Sequence, residues 1–234
     1  MGTLVAAFVL ATALQESEKK APEFKHEYFP KRADPSQQSD SGFYGDLTYE
    51  FILFVTPSFK GFFDTGTMID LEIGYQWEFR SGVYASAGLF ISPYANASKT
   101  VDLGPPAGNE NTTVDFLIYG IVARLGNGMA DGYHFGATGG IGMINMDLSV
   151  KSQTGATVIS RSDNGLVYRV GIFLDRDIVH NETWGLILGI TGDYYYSAIT
   201  DAANDNISFW SVGFRLMVTF EPTSNRQRGL PPEE

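Results

Sequence analysis

One segment of this chain alternates between apolar and polar residues along its whole length, which is the pattern of a β-strand with two unlike faces. Within residues 67–79, one face carries Ile69, Leu71, Ile73, Tyr75, Trp77 and Phe79. The opposite face carries Met68, Asp70, Glu72, Gly74, Gln76 and Glu78. Because the apolar row ends in aromatic residues, as strands do at a membrane interface, the segment predicts a transmembrane β-barrel strand that is apolar outside and charged inside.

Seven further segments of comparable length alternate between turn residues, so we predict eight strands. Their ranges are 43–55, 67–79, 82–94, 113–125, 133–146, 165–175, 183–195 and 208–220. The connections are alternately long and short, which in an antiparallel barrel places all the long loops on one rim. These predicted long loops are 56–66, 95–112, 147–164 and 196–207.

Charged residues at the predicted inward positions form the first group of candidate site residues. They are Glu50, Asp70, Glu72, Arg124, Arg169, Asp193 and Arg215. Buried charges are tolerated only when they are paired, and Glu50, Glu72, Arg169 and Arg215 fall at similar depth, so we expect a Glu/Arg network across the lumen. An eight-stranded barrel is just wide enough for side chains to fill, so the network should act as a plug. A gate for ions or small solutes is the functional alternative.

Aromatic residues at the ends of the predicted outward rows form the second group. Tyrosine and tryptophan collect at membrane interfaces, where one part of the side chain is in an apolar environment and the other is wet. Trp210 and Phe220 stand at the two ends of the last predicted strand. The predicted aromatic girdle consists of Tyr75, Trp77, Phe79, Trp184, Tyr194, Trp210 and Phe220.

Composition excludes several classes of protein. The chain has 27 acidic and 16 basic residues and a net charge of -11, which argues against nucleic acid as a partner. Its mean hydropathy is -0.07 and no run of 18 apolar residues occurs, so a helical membrane protein is not expected. A barrel strand needs only about 9–11 residues to cross, with alternate residues facing lipid. The absence of cysteine excludes disulfides and thiolate metal sites.

The ends of the chain differ in composition from the region between them. Leu4 to Leu14 is an apolar stretch of the size found in export signals, although no basic residue precedes it; a short apolar element packed on the domain is the alternative. The following residues turn polar and contain prolines. We therefore predict a signal peptide at 1–14, a flexible periplasmic arm at 15–41, a β-barrel at 42–220 and a polar C-terminal tail at 221–234.

Residues 42–220 resemble the small eight-stranded outer-membrane barrels of the OmpA/OmpX type. The resemblance rests on the strand count, the loop asymmetry and a last strand, 210–220, that alternates apolar residues and ends in Phe. It implies an eight-stranded antiparallel up-and-down transmembrane β-barrel in a bacterial outer membrane, surrounded by lipid. It also implies a structural or interaction role in which the long loops or the terminal segments contact a protein partner. The segment 221–234 departs from such barrels, many of which finish near an aromatic residue.

Catalytic chemistry is not indicated. Lipid-modifying barrels of this architecture use a histidine with a serine and an acidic residue near the long-loop rim. The histidines here are His26 in the arm, His134 at the start of a strand and His180 in a short turn, and none lies near that rim. The loop at 197–206 is rich in oxygen ligands but lacks the spacing of a calcium-binding loop. We therefore predict no enzyme, no cofactor and no metal site.

Three alternatives remain open from the sequence. A soluble lipocalin-like calyx would bind a small apolar ligand inside eight antiparallel strands. Its best support is a set of apolar residues at nominally inward positions: Phe90, Phe116, Ile118 and Phe173. A lipid-modifying barrel enzyme is the second alternative. The third is a subunit of a larger envelope assembly, docked through 16–41 or 221–234.

Overall fold

Eight strands and one short helix make up the described part of the chain, which is residues 41–63, 65–79, 83–102, 109–128, 132–151, 157–180, 184–200 and 206–220. In this computed structural model the elements are β1 (Gly42–Phe54), α1 (Pro57–Phe62), β2 (Gly66–Glu78), β3 (Val83–Asp102), β4 (Asn109–Gly128), β5 (Tyr133–Lys151), β6 (Thr157–His180), β7 (Trp184–Thr200) and β8 (Asn206–Phe220). The predicted signal peptide at 1–14, nearly all of the arm at 15–41 and the tail at 221–234 lie outside the described residues. Within the described ranges, no helix has the length and apolar character needed to span a membrane.

The strands close into a barrel, because β8 pairs with β1 as well as with β7. All neighbours are antiparallel; Leu47 of β1, for example, lies opposite Leu71 of β2 and Leu216 of β8. Closure lets every strand hydrogen-bond on both sides, so the barrel wall has no open edge where all eight strands are present. The predicted fold class, an all-β eight-stranded antiparallel up-and-down barrel, is confirmed.

The barrel wall is apolar on its outer surface. Along β1, buried and exposed residues alternate without interruption, as predicted. The outward rows carry large apolar side chains on all eight strands, and Phe214 is 67% exposed. We call this surface the outer belt; from β1 to β8 it includes Phe51, Ile73, Leu89, Ile121, Phe135, Val170, Ile190 and Phe214.

The loop predicted at 95–112 is wrong over most of its length. β3 continues to Asp102 and β4 begins at Asn109. The pairing register of β3 shifts by one residue beside Pro93, which forms a β-bulge in the strand. A bulge reverses which residues face the lumen, so the alternation breaks there although the strand continues.

The loops predicted at 147–164 and 196–207 are wrong in the same way. β5 ends at Lys151 and β6 begins at Thr157, while β7 and β8 both extend into the predicted loop at 196–207. At the opposite rim, β6 runs on to His180 through a predicted turn. The residues added to β6 from Ser160 to Asn164 are polar on both faces, so they lack the apolar alternation from which the strands were predicted.

The loop predicted at 56–66 folds into the mouth of the barrel. Pro57 occupies the first turn of α1, where its missing N–H costs nothing. Phe59 and Phe63 are buried, and both rings lie 5.6 Å from the ring of Phe54. This segment therefore closes the long-loop rim of the barrel.

Candidate functional site: the filled lumen and the projecting sheet

The lumen next to the short turns holds two arginines and three carboxyl groups. We call them the rim-side cluster: Asp46, Glu72, Arg124, Asp175 and Arg215. Arg124 donates to both carboxylate oxygens of Glu72, at 2.5 and 2.6 Å, and lies 3.2 Å from Asp46. Arg215 donates to Asp46 from Nε and to Asp175 from Nη1, each at 2.5 Å. The pairs connect β1, β2, β4, β6 and β8 across the barrel.

A second ionic group lies further from the short turns. This central cluster consists of Glu50, Asp70, Arg169 and Asp193. Arg169 donates from Nη1 to Asp70 at 2.8 Å and from Nη2 to Asp193 at 2.9 Å. Glu50 Oε1 lies 3.6 Å from the same Nη2, and the Tyr195 hydroxyl donates to Asp70 at 3.2 Å. The central cluster connects β1, β2, β6 and β7.

The structure places all seven predicted lumen residues inside the barrel, where each is at most 6% exposed, but divides them between the two clusters. The sequence placed Glu50, Glu72, Arg169 and Arg215 at one depth, which is wrong: Glu72 and Arg215 belong to the rim-side cluster, and Glu50 and Arg169 to the central cluster. Within the rim-side cluster, Arg215 bonds to Asp46 and Asp175. These two aspartates were absent from the predicted network. Their inward positions in the alternation of β1 and β6 were a sufficient signal to include them.

Inward-facing glycines provide space for the charged side chains. A Cβ added at Gly213 would lie 2.6 Å from Cγ of Glu50 on the neighbouring strand. A Cβ at Gly189 would collide with the carboxylate of Asp175. The carboxyl side chains thus lie directly over the backbone of the adjacent strand, which only glycine permits.

The long-loop half of the lumen is apolar. Its buried side chains include Ile52, Met68, Val114, Ile144, Met146, Val167, Ile199 and Ile207. The rings of Tyr195 and Phe209 stack at 4.8 Å, and Phe116 stacks on Phe209 at 5.9 Å. Together with Phe59 of α1 and with Phe63, which directly follows α1, these residues form one buried cluster. The described lumen is therefore filled by ionic clusters at one end and by an apolar core at the other.

The apolar residues that suggested a ligand-binding calyx do face the lumen. None of the four is more than 3% exposed: Phe90, Phe116, Ile118 and Phe173. The guanidinium of Arg169 lies 5.6 Å from the ring of Phe90, and that of Arg215 lies 5.5 Å from the ring of Phe173. These distances are those of cation–π contacts, so two of the rings pack against the ionic clusters.

The residues of the predicted aromatic girdle lie at two heights on the outer belt. By their places in the strands, those near the short turns are Tyr75, Trp77, Phe79, Trp184 and Phe220. Tyr194 and Trp210 lie towards the long-loop rim, and their rings are 5.0 Å apart. Near the short turns, Tyr75 and Trp77 are similarly in contact at 5.1 Å.

Four strands project beyond the rest of the wall at the long-loop rim. Among the described residues, β3 pairs with β2 up to Ala97 and β6 pairs with β7 from Val167 onwards. Beyond these points β3, β4, β5 and β6 continue as a four-stranded sheet. We call it the projecting sheet: residues 98–102, 109–113, 147–151 and 157–166.

The described residues contain no group of three or more His, Asp or Glu side chains placed to hold a metal ion. His134 lies at the short-turn rim, where its Nε2 is 3.0 Å from the carboxylate of Asp177 and its ring meets the ring of Tyr84 edge-on. His26 lies outside the described residues, and of His180 only the backbone is described. The site that the fold builds is thus the filled lumen with the projecting sheet above it.

Comparison with known proteins gives a distant structural likeness. No protein-family profile matches the sequence, and no curated protein is significantly similar to it. Similar solved structures include neisserial surface protein A, with 14% identity over 78% of this chain and 99% of that chain and a TM-score of 0.38. Ail of Yersinia pestis is 15% identical over 79% of this chain and 99% of that chain, with a TM-score of 0.35. OprG of Pseudomonas aeruginosa is 13% identical over 79% of this chain and 96% of that chain, with a TM-score of 0.35.

Proposed function

We propose that this chain is an integral barrel of a bacterial outer membrane, with a structural or interaction role and a plugged lumen. The outer belt carries this proposal. Leu89, Ile121 and Phe214, on three different strands, are 60%, 57% and 67% exposed, and the same kind of side chain lines all eight strands. Soluble proteins rarely expose apolar patches of more than a few hundred Å² (about 300–600 Å²), whereas lipid requires an apolar band.

A soluble calyx explains the distribution of charge less well. It needs a polar exterior and an apolar lumen, but the three arginines and six carboxyl groups of the two clusters are buried inside, and the apolar rows are outside. The apolar core near α1 matches a calyx, yet it is packed with its own aromatic rings. An apolar ligand would have to displace these rings.

The proposed location is tested by refolding the full chain into detergent micelles and comparing its migration on an SDS gel before and after boiling. Closed membrane barrels resist SDS until they are heated, so we expect two bands that convert on boiling. A chain that needs no detergent and shows no shift would instead support the soluble calyx.

The plug is tested separately by recording from the refolded protein in planar lipid bilayers. The rim-side cluster, the central cluster and the apolar core fill successive levels of the lumen, so we expect no conductance above background. A steady open pore would contradict the plug without contradicting the membrane location.

We propose the projecting sheet as the contact surface for a protein partner. Ser160, Ser162 and Asn164 are exposed on its β6 strand and offer polar side chains to a partner. The chain has no cysteine, so a single cysteine reports on one position only. We expect Ser162→Cys to react with a membrane-impermeant maleimide on intact cells and Asn127→Cys, near a short turn, not to react. The reverse pattern would place the sheet on the periplasmic side.

A further inference from the structure

The central cluster holds more carboxyl groups than its cation can neutralise. Glu50, Asp70 and Asp193 face a single guanidinium, that of Arg169, and none of the four side chains is more than 3% exposed. Burial removes the water that would otherwise solvate a surplus charge. An additional carboxylate here is unfavourable unless a positive charge accompanies it.

Two of the three carboxyl groups are well supplied with hydrogen-bond donors. Asp70 accepts from Arg169 at 2.8 Å and from the Tyr195 hydroxyl at 3.2 Å. Asp193 accepts from Arg169 at 2.9 Å and from the Thr191 hydroxyl at 2.7 Å. Hydrogen bonds to an ionised group are among the stronger ones, so both aspartates are stabilised as carboxylates.

Glu50 is the carboxyl group without a donor. Its Oε1 lies 3.6 Å from Nη2 of Arg169, which is too far for a hydrogen bond, and neither carboxyl oxygen has a hydrogen-bond partner among the described residues. The side chain lies against the β8 backbone at Gly213, where even an added Cβ would be only 2.6 Å from its Cγ. This close packing holds Glu50 in the cluster.

Each element around Glu50 contributes a defined group. The facing groups are Asp70 from β2, Arg169 from β6, Asp193 and Tyr195 from β7, and Ser211 from β8. The only cation among them is already shared by the two aspartates. The described residues contain no three His, Asp or Glu side chains placed to hold a metal ion, so the cluster does not have the arrangement of a divalent metal site.

We infer that Glu50 is a buried proton-binding site: its carboxyl group carries a proton at neutral pH. The bound proton turns Glu50 into a hydrogen-bond donor, and buried acceptors without a partner are present in Ser211 Oγ and Asp193 Oδ1. In the unfolded chain Glu50 is an ordinary solvated glutamate, which is ionised at neutral pH. The folded protein therefore binds one proton more than the unfolded protein, and its stability falls as the pH rises.

The inference is tested with Glu50→Gln, which keeps the shape of a neutral carboxyl group, and with Glu72→Gln as the matched control. Glu72 is similarly buried but accepts two hydrogen bonds from Arg124, so Glu72→Gln replaces one of the two acceptor oxygens with an NH₂ group that faces the guanidinium. The full chain is refolded into lipid vesicles, and urea midpoints are measured from acidic to alkaline pH, because the loss of stability begins where a solvated glutamate ionises, at about pH 4.3, and ends where folded Glu50 ionises. We expect Glu50→Gln to match the wild-type midpoint at the acidic end and to exceed it increasingly as the pH rises, and Glu72→Gln to lower the midpoint throughout. A neutral-pH loss as large as that of Glu72→Gln would overturn the inference.

A second measurement begins with the wild-type protein. The infrared spectrum of the wild-type barrel at neutral pH should contain a carbonyl band of a protonated carboxylic acid that disappears at alkaline pH, and the band should shift in Glu50→Asp. Absence of the band would overturn the inference. So would a stability that follows the sodium concentration instead of pH, since that result would identify a metal cation in place of the proton.

Discussion

Glu72 and Arg124 face each other across the lumen, from β2 and β4, through two parallel hydrogen bonds of 2.5 and 2.6 Å. Both side chains are nearly fully buried. The Tyr44 hydroxyl donates to the same carboxylate at 2.5 Å, and Asp46 lies 3.2 Å from the guanidinium. β2 and β4 are not neighbours in the barrel wall, so this pair connects strands that share no backbone hydrogen bonds.

Removing one partner of this pair should be strongly destabilising. Arg124→Leu leaves Glu72 as an uncompensated buried charge, and we expect a loss of about 3–5 kcal/mol in the free energy of unfolding. The measurement is urea unfolding in lipid vesicles, followed by tryptophan fluorescence. Asp147→Asn, at an exposed position of β5, is the control and should change stability by less than about 0.5 kcal/mol. The double variant Glu72→Leu with Arg124→Leu should recover most of the loss, and equal losses in single and double variants would contradict the pairing.

The barrel could be predicted from the sequence because each strand must carry a row of apolar residues on its outward face. This row shows directly in the alternation of residues along the chain. Leu47 and Phe51 on β1 and Leu216 on β8 are outward, Asp46 and Glu50 are inward, and the strand period of two makes the assignment unambiguous. Strand order then follows from the short connections between antiparallel neighbours.

The projecting sheet could not be predicted in the same way. From Ser160 to Asn164 the residues of β6 are polar at inward and outward positions alike, so no alternation marks the strand. At Pro93 the bulge in β3 interrupts the alternation within a continuous strand. These strands are held by backbone pairing with their neighbours, which a one-dimensional pattern of side chains does not record.

The division of the buried charges into a rim-side cluster and a central cluster could not be predicted from the sequence either. Counting residues from a rim gives a position along each strand, but the partner of an arginine depends on the stagger between strands and on the reach of its side chain. Arg215 donates hydrogen bonds to Asp46 and Asp175, and Arg124 donates hydrogen bonds to Glu72. The sequence predicted that charged residues line the lumen, but it did not predict which arginine pairs with which carboxyl group.

The outer belt should respond to charge as a lipid-facing surface does. Phe214 lies near the middle of the apolar row of β8, so Phe214→Arg should lower the free energy of unfolding in lipid vesicles by about 2–4 kcal/mol. Ser162→Arg, on the projecting sheet, is the control and should have an effect near zero. Urea unfolding measures both, and a tolerated Phe214→Arg would place this face in water.

A side chain at position 213 should lower the stability of the barrel. Gly213→Ala pushes a methyl group against the Tyr49 carbonyl oxygen and Glu50 Cγ on β1, and overpacking of this kind costs about 1–3 kcal/mol. Gly139→Ala is a matched control, because an added Cβ at this strand position would have no neighbour within 4 Å. We expect the control to retain wild-type stability, measured by the urea midpoint. Equal effects of the two substitutions would show that backbone entropy, and not the contact with Tyr49 and Glu50, decides the outcome.

The segment 56–66 is either a structural cap packed into the barrel mouth or a free contact loop, and the stability of two variants distinguishes these roles. Phe63 is 1% exposed and belongs to the apolar core, so Phe63→Ala should cost about 3–5 kcal/mol of unfolding free energy. Lys60→Ala changes an exposed side chain on α1 and should leave stability within about 0.5 kcal/mol of wild type. Urea unfolding of the refolded barrel measures both variants. If Phe63→Ala were as harmless as Lys60→Ala, the segment 56–66 would be a free loop after all, available to a partner as the sequence predicts.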